Sequence, residues 1–193
     1  MVRRGWSRLL VAAAVVTLGG VAACTGGDGS GDDTGGTPTT GLPVAATLPP
    51  ATEVAAGSGW LVLDGAGFVL EVRSCVLEPV TDPETGVTTD LTIDADDGLG
   101  TAVLITRSTT QGDVATVTDT VAVVHDDGEL MEANRADVNG RYIDLLAEGA
   151  LQPLLGVEGD LVTAAGVFGP RGARPGDPGL VEGSLIVRCP PAG

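Results

Sequence analysis

The sequence contains no lysine, one histidine, three cysteines and few aromatic residues. All ten basic residues are therefore arginines, and against 26 aspartates and glutamates they leave a formal net charge of −16. A chain this acidic repels phosphate backbones, which excludes nucleic acid as a partner. An aromatic content of 3% leaves few rings that can stack on bases or sugars. Composition thus excludes several function classes and identifies none.

Recognisable catalytic motifs are missing as well. His125 is the single histidine, and no Gly-x-Ser-x-Gly elbow supplies a nucleophile for it. It precedes the turn signal Asp127-Gly128, so a solvated side chain at a hairpin tip is predicted. No G-x-G-x-x-G motif or P-loop is present to cradle a nucleotide. We therefore expect neither enzymatic activity nor a cofactor.

One acidic run, Asp94-Ala95-Asp96-Asp97-Gly98, offers the carboxylates that hard cations bind. It fails the EF-hand spacing, because Gly98 stands where the third acidic ligand belongs and no glutamate occupies the twelfth position. The run is therefore predicted to be a solvated turn, and no metal site is expected.

The first 23 residues have the composition of a lipoprotein signal peptide. Arg3, Arg4 and Arg8 precede an apolar run, residues 9–18, which is shorter than the roughly 20 residues that span a bilayer. The following Val-Ala-Ala-Cys24 resembles the lipobox of bacterial lipoproteins, which implies cleavage before Cys24 and acylation of its thiol. We expect a protein anchored in the cell membrane and facing outside the cytoplasm. Because the arginine pair partly resembles a twin-arginine signal, the export route stays open.

Residues 24–56 comprise the lipidated cysteine and a Gly/Thr/Pro-rich stretch. Such a stretch cannot bury enough apolar surface to offset its chain entropy, so a disordered stalk is predicted. Its threonines lie near prolines and suit O-linked sugar, and an unmodified linker is the alternative. A single β-rich extracytoplasmic domain is predicted over residues 57–193.

Period-two alternation and β-branched runs dominate this domain. Strands are predicted over Trp60–Leu63, Phe68–Leu77, Thr88–Ala95, Thr101–Thr106, Val114–Val124, Glu129–Glu132, Asp160–Phe168 and Leu180–Cys189. One segment, Arg141–Leu151, has apolar residues at helical spacings and predicts a short helix. The expected fold is mainly β, or α+β if the helix counts: an antiparallel sandwich or partial barrel with one short helix.

The Gly/Pro-rich loop Gly169–Gly179 carries a small basic patch, Arg171 and Arg174. Such a patch suits contact with anionic lipid or glycan. The alternative, a flexible surface loop without a partner, is the interpretation adopted from the sequence.

Cys75 and Cys189 form an even pair in a domain that is expected to be exported. Two free thiols and a metal pair are the alternatives. Free thiols do not suit an oxidising compartment, and two cysteines with one distant histidine make a poor zinc set. A Cys75–Cys189 disulfide is therefore predicted, which would pin the C-terminal strand beside the N-terminal one.

These features follow one another in a recognisable order. After the lipobox and the stalk comes the strand–turn–strand element WLVLDGAGFVLEVRSC, and the chain ends in SLIVRCPPAG. This order resembles the mycobacterial 19 kDa lipoprotein antigen family over Gly57–Cys189, although Arg141–Leu151 and Gly169–Gly179 have no counterpart there. The lack of lysine and the Ala/Gly/Val/Asp-rich usage suit a high-GC actinobacterium.

The resemblance implies a surface-exposed, antigenic and non-enzymatic lipoprotein. The leading hypothesis is a non-catalytic interaction module that meets the membrane through the lipid on Cys24, with an unidentified lipid, glycan or protein as a further partner. The alternative is a lipid or glycolipid carrier, which needs an apolar cavity inside the β domain.

Overall fold

The computed structural model describes residues 46–149 and 151–191. Their strands are β1 Ser58–Leu63, β2 Ala66–Val76, β3 Val80–Thr81, β4 Val87–Asp96, β5 Ala102–Thr110, β6 Thr116–Val124, β7 Leu130–Val138, β8 Arg141–Asp144, β9 Leu155–Glu158, β10 Leu161–Pro170 and β11 Val181–Arg188. A single 3-10 turn, Ala51–Glu53, precedes β1 in this part of the chain. The prediction of a mainly β protein is confirmed.

Eight of the described strands close into an antiparallel barrel, in the order β7-β6-β5-β4-β2-β1-β11-β10. The circle is completed where β10 pairs with β7. The short strands β3, β8 and β9 lie outside the circle and pair with β4, β7 and β10 respectively. Of the two predicted architectures, the structure shows the barrel and not the sandwich.

Two-residue turns with positive φ angles connect two of the strand pairs. Asp64 (φ 51°) and Gly65 (φ 76°) join β1 to β2, as the Asp-Gly signal predicts. Asn139 (φ 56°) and Gly140 (φ 78°) join β7 to β8 in the same way. This backbone geometry matches the right-handed twist of paired strands, so both turns return the chain directly along the strand it has just formed.

Side chains that alternate along the strands fill the barrel interior. Fully buried examples are Leu61, Ile93, Ile105, Val121, Phe168 and Leu185. An eight-stranded barrel has an interior just wide enough to be filled in this way. The interior is therefore a packed core to which every strand of the circle contributes.

The predicted helix over Arg141–Leu151 is wrong. Its first four residues form β8, which pairs with residues 135–138 of β7, and no helix covers residues 145–149 or Leu151. The turn at residues 139 and 140 brings the chain back beside an existing strand, where backbone hydrogen bonds are available at once. An isolated helix of this length is marginal in water, and Gly149 weakens it further.

The predicted signal peptide and most of the predicted stalk lie outside the described residues. This holds for residues 1–45 and therefore for the predicted lipid attachment site, Cys24.

The last residues of the predicted stalk contact the barrel. Residues 46–56 lie against the barrel, and the side chain of Val54 is buried. The Arg188 guanidinium donates hydrogen bonds to the carbonyl oxygens of Ala51 and Val54, each at 3.0 Å. Burial of the Val54 side chain and these two charge-assisted hydrogen bonds offset the conformational entropy that this short stretch of chain loses. The packed region therefore begins before Gly57.

Candidate functional site

The barrel has a side opening between β7 and β10. In the described chain these strands pair only at Glu132–Gly169 and Met131–Pro170. Farther along, β8 pairs with β7 and β9 pairs with β10, so the two strands diverge. Residues 145–149 and 151–154, here called the crossing segment, lie between β8 and β9 in the chain and border the opening; Ala150 lies outside the described residues.

A buried ion pair lies beneath the crossing segment. Arg135 on β7 donates hydrogen bonds from Nε and Nη2 to Oδ2 of Asp144, at 3.1 and 2.8 Å. Its Nη1 donates to the carbonyl oxygen of Gln152. The side chains of Arg135 and Asp144 are 6% and 0% exposed. The two opposite charges therefore compensate each other away from water. Arg135 also holds the crossing segment through the carbonyl oxygen of Gln152.

A second ion pair holds the start of β9. Arg107 on β5 donates from Nε and Nη2 to the two carboxylate oxygens of Asp119, at 2.7 and 3.0 Å. Hydrogen bonding to Asp119 raises the pKa of Arg107 and so keeps it charged despite partial burial. The backbone of Leu155 completes the arrangement: its carbonyl accepts from Arg107 at 3.1 Å and its N–H donates to Asp119 at 3.2 Å.

These charged residues occupy inward positions that belong to the ordinary strand alternation. Arg107 follows the buried Ile105 by two residues on β5, and Arg135 stands on the inward face of β7 in the same way. The corresponding predicted strands end at Thr106 and Glu132, so both arginines lie outside them. If the period-two pattern is continued a few residues past these strand ends, both arginines fall at inward-facing positions.

Open clefts lie on both sides of the crossing segment, and Arg135 borders each of them. One cleft, of about 570 Å³, is also lined by Gln152 and Gly166. The other, of about 410 Å³, is lined by Arg107 and Tyr142. The guanidinium donors at their floor suit acceptor oxygens, and each guanidinium is already balanced by a carboxylate. The arrangement therefore favours polar recognition over proton transfer.

The predicted disulfide is present. Cys75 of β2 and Cys189, just after β11, are bonded, with 5.8 Å between their Cα atoms. Strand β1 separates β2 from β11 along the barrel but begins only at Ser58, so the two cysteines meet beyond its end. A cleft of about 430 Å³, lined by Pro190 and Pro191, lies beside the bond. The bond therefore cross-links β2 to the residue after β11 at one end of the barrel.

His125 stands at the opposite end of the barrel, just after β6, where the sequence predicts a solvated side chain. The residue is half-buried, with its ring centroid 5.8 Å from that of Phe68. Its Nδ1 is 3.4 Å from the hydroxyl oxygen of Thr101. The turn after β6 places the His125 ring over the end of the barrel, so packing against Phe68 explains its half-buried position.

The acidic run at the β4–β5 connection stabilises its own turn. Arg73 donates to Asp96 at 2.9 Å, and this hydrogen bond lowers the pKa of Asp96. Burial by itself raises the pKa of Asp97, but hydrogen bonds from the backbone N–H groups of Leu99 and Thr101 outweigh it and lower that pKa. Within the described ranges, no group of three or more His, Cys, Asp or Glu side chains is placed to hold a metal ion.

Replacing Asp96 by asparagine is expected to destabilise the protein near neutral pH and to have little effect in strong acid. The folded pKa lies below the ordinary value of 3.8, so the carboxylate contributes stability above that value and loses it as the pH falls through the folded pKa. Urea unfolding at about pH 6 and about pH 2 measures this difference. Asp113→Asn, in the exposed β5–β6 loop, is the matched control; an equal loss at both pH values would contradict the assignment.

The basic patch in the loop after β10 is partly neutralised. Arg171 is 76% exposed and pairs with Glu132 at 3.1 Å. The backbone N–H of Arg174 donates to the carboxylate of Asp177 at 2.9 Å, which closes a local turn. The loop is thus a surface feature whose acidic neighbours reduce its attraction for anions.

No helix in the part of the chain that the structure describes is long and apolar enough to cross a membrane. Comparisons with protein-family models, with curated proteins and with solved structures return no match. The fold and the site together define a disulfide-bonded, eight-stranded antiparallel barrel with a side opening that its own chain covers.

Proposed function

We propose that this protein is a lipid-anchored lipoprotein of the bacterial cell envelope, and that its barrel is a non-catalytic interaction module. The observation that carries the proposal is the filled barrel interior. Phe168, Leu61 and Leu185 are fully buried there, and the crossing segment adds Leu154. A carrier needs an apolar cavity for its cargo, so a core occupied by the chain's own side chains favours recognition at the outer surface.

The charged groups of the site also favour binding over catalysis. Catalytic acids and bases are poised near the working pH, commonly by burial next to a like charge. Here Arg107 faces Asp119 and Arg135 faces Asp144, so each buried charge meets its opposite. Such pairs position backbone segments: Arg135 binds the carbonyl oxygen of Gln152, and Arg107 binds that of Leu155.

The surface charge indicates the chemistry of a partner. Five of the seven arginines beyond residue 46 are in ion pairs with carboxylates: Arg73, Arg107, Arg135, Arg171 and Arg188. The net charge of the whole chain is −16, so the unpaired charge is overwhelmingly acidic. A surface of this kind steers cationic partners toward itself and repels anionic ones.

Membrane anchoring rests on the sequence. The basic N-terminal region, the apolar run and the Val-Ala-Ala-Cys24 motif stand in the order of a lipoprotein signal, and the chain order resembles the mycobacterial 19 kDa antigen family. Two or three acyl chains on one residue hold a protein at a membrane where a single chain does not.

Replacing Cys24 by alanine is expected to move the protein from the membrane fraction to the high-speed supernatant. Without the thiol no acyl chain can be attached, and the apolar attachment is lost. Fractionation with immunoblotting and metabolic labelling with an alkyne fatty acid measure the change. Thr25→Ala, one residue away, is the matched control and should remain labelled and membrane-bound. A Cys24→Ala protein that stays in the membrane fraction would refute the anchor.

The same Cys24→Ala chain allows the barrel's role to be examined separately. Native mass spectrometry is expected to give the bare polypeptide mass, because the interior is already filled. Additional mass that disappears on denaturation and is identified as lipid would replace the interaction module with the carrier alternative.

A further inference from the structure

A row of alternating charges crosses five neighbouring strands on the inner side of the sheet. It takes one residue from each of β4 to β8, in this order: Asp90, Arg107, Asp119, Arg135 and Asp144. Asp90 is the extra residue of a bulge, where the pairing of β4 with β5 shifts between Thr89 and Leu91. Bulges re-aim side chains and are common at the rims of barrels and next to active sites. The row thus begins and ends with a carboxylate.

One carboxylate of this row has no cationic partner of its own. Each of the two arginines donates through Nε and Nη2 to a single neighbouring carboxylate, Asp119 or Asp144. Asp90 accepts a hydrogen bond from the hydroxyl group of Thr109 at 2.6 Å, and within the described residues it is in no ion pair. The row therefore carries one negative charge more than its arginines balance.

The next inward position of β7 adds a second carboxylate of this kind. Asp137 follows Arg135 by two residues and accepts a hydrogen bond from the N–H of Gly140 at 2.7 Å. The described chain pairs it with no arginine either. Both Asp90 and Asp137 line the cleft of about 410 Å³, at the barrel end where the β5–β6 and β7–β8 turns lie. A cleft of this size suits a small ligand, and barrel mouths are common places for such sites.

The remaining walls of this cleft include apolar surface. Val117, the ring of Tyr142 and Pro153 contribute it. Tyr142 lies directly opposite Asp137 in the pairing of β8 with β7. An aromatic face attracts an ammonium group, and aliphatic carbons pack against valine and proline. The cleft thus combines unbalanced negative charge with walls that suit a short carbon chain.

We propose that this cleft is a binding site for a primary alkylammonium group. The N–H groups of the ammonium donate to the carboxylates of Asp90 and Asp137, and the alkyl chain packs against Val117 and Tyr142. A free amine and a lysine side chain of a protein partner carry the same group. The inference deepens the proposed interaction module and rests on it for the cationic character of the partner. It does not depend on the lipid anchor.

The charges of the cleft also discriminate among ligands of similar size. A carboxylate ligand would meet Asp90 and Asp137, while both arginines of the row are already bound to other carboxylates. An alcohol of the same length offers no positive charge to either aspartate. Butylamine should therefore bind, and butyrate and 1-butanol should not.

NMR titration of the full-length chain with Cys24→Ala tests the site without an attached lipid. Amide shifts are followed at about pH 7 and low salt while butylamine, 1-butanol or butyrate is added. Asp90→Asn and Asp137→Asn each remove one charge and keep an oxygen for the existing hydrogen bond. Asp94→Asn is the matched control, because it removes the same charge from an exposed position on β4 whose two neighbours are buried.

We expect butylamine to shift the amides of the residues that line the cleft. Asp90→Asn and Asp137→Asn should each weaken binding about fivefold, the effect of one partly exposed ion pair. The double variant should weaken it about 25-fold, because the two contacts add. Asp94→Asn should bind as the parent does, since solvent and salt screen its distant charge.

Nα-acetyl-lysine methylamide distinguishes the two sources of the ammonium group. If it binds at least as tightly as butylamine, the site accepts a lysine side chain of a protein partner. If it binds more weakly, the site takes a free amine, because the backbone atoms of the lysine do not fit.

Three results would overturn the proposal: butylamine that causes no shifts in the cleft, equal binding by the parent and the double variant, or a loss in Asp94→Asn as large as that in Asp90→Asn. The last result would assign the effect to the general negative field of the protein. The interaction module would survive all three, because a partner can bind elsewhere on the barrel. Lipid retained by the same protein in native mass spectrometry would overturn the module instead.

Discussion

Replacing Arg135 by methionine is expected to lower the free energy of unfolding by about 3–5 kcal/mol, the usual cost of leaving one member of a buried ion pair uncompensated. The Asp144 side chain is fully buried and would lose its oppositely charged partner. The carbonyl oxygen of Gln152 would lose its charged donor as well. Urea denaturation should show the loss, and thermal unfolding should show a fall in Tm of about 10 °C.

Two comparisons separate the effect of the pair from that of a missing charge. Arg171→Met removes an exposed ion pair with Glu132 and should cost about 0–1 kcal/mol. The double variant Arg135→Met, Asp144→Leu should be more stable than Arg135→Met alone, because no unpaired charge remains. If Arg135→Met cost no more than Arg171→Met, the ion pair would not be needed to hold the opening closed.

Replacing Cys75 and Cys189 together by serine is expected to cost about 2–5 kcal/mol. The bond closes a loop with a sequence separation of 114 residues, so its loss returns a large conformational freedom to the unfolded chain. The folded chain would also lose the link between β2 and the end of β11 beyond the start of β1. Denaturant midpoints of oxidised parent and double variant measure the difference.

Reduction supplies an independent check on the same bond. A thiol reductant should bring the parent close to the stability of the double serine variant and leave that variant unchanged. Alkylation of Cys75 or Cys189 in the native, unreduced protein would contradict the bond.

Strands β1, β2 and β4 could be predicted because local patterns suffice for them. The Asp64-Gly65 pair fixes the first hairpin, and Leu91, Ile93 and Ala95 alternate along β4 and are all buried. Here the local preference and the final packing agree, so no information about distant residues is needed.

The region around the opening could not be predicted in the same way. Residues 141–146 contain apolar side chains at helical spacing, yet pairing with β7 makes them a strand followed by an irregular segment. The partner of Arg135 is Asp144 on β8, and the partner of Arg107 is Asp119 across a register that only the folded sheet defines. Such pairs depend on which strands become neighbours, and the order of the strands is not written in the spacing of single residues.

The position of β11 has a consequence for how this chain reaches its folded form. β11 is the last described strand, and it lies between β1, the first, and β10. Ser58 pairs with Arg188, so the first hairpin keeps an open edge until nearly the whole described chain has emerged. Pairing of strands that are so far apart in sequence is slow, and in the meantime an open strand edge can pair with another nascent chain. Until β11 is in place, β1 is therefore the edge at which two folding chains can mispair.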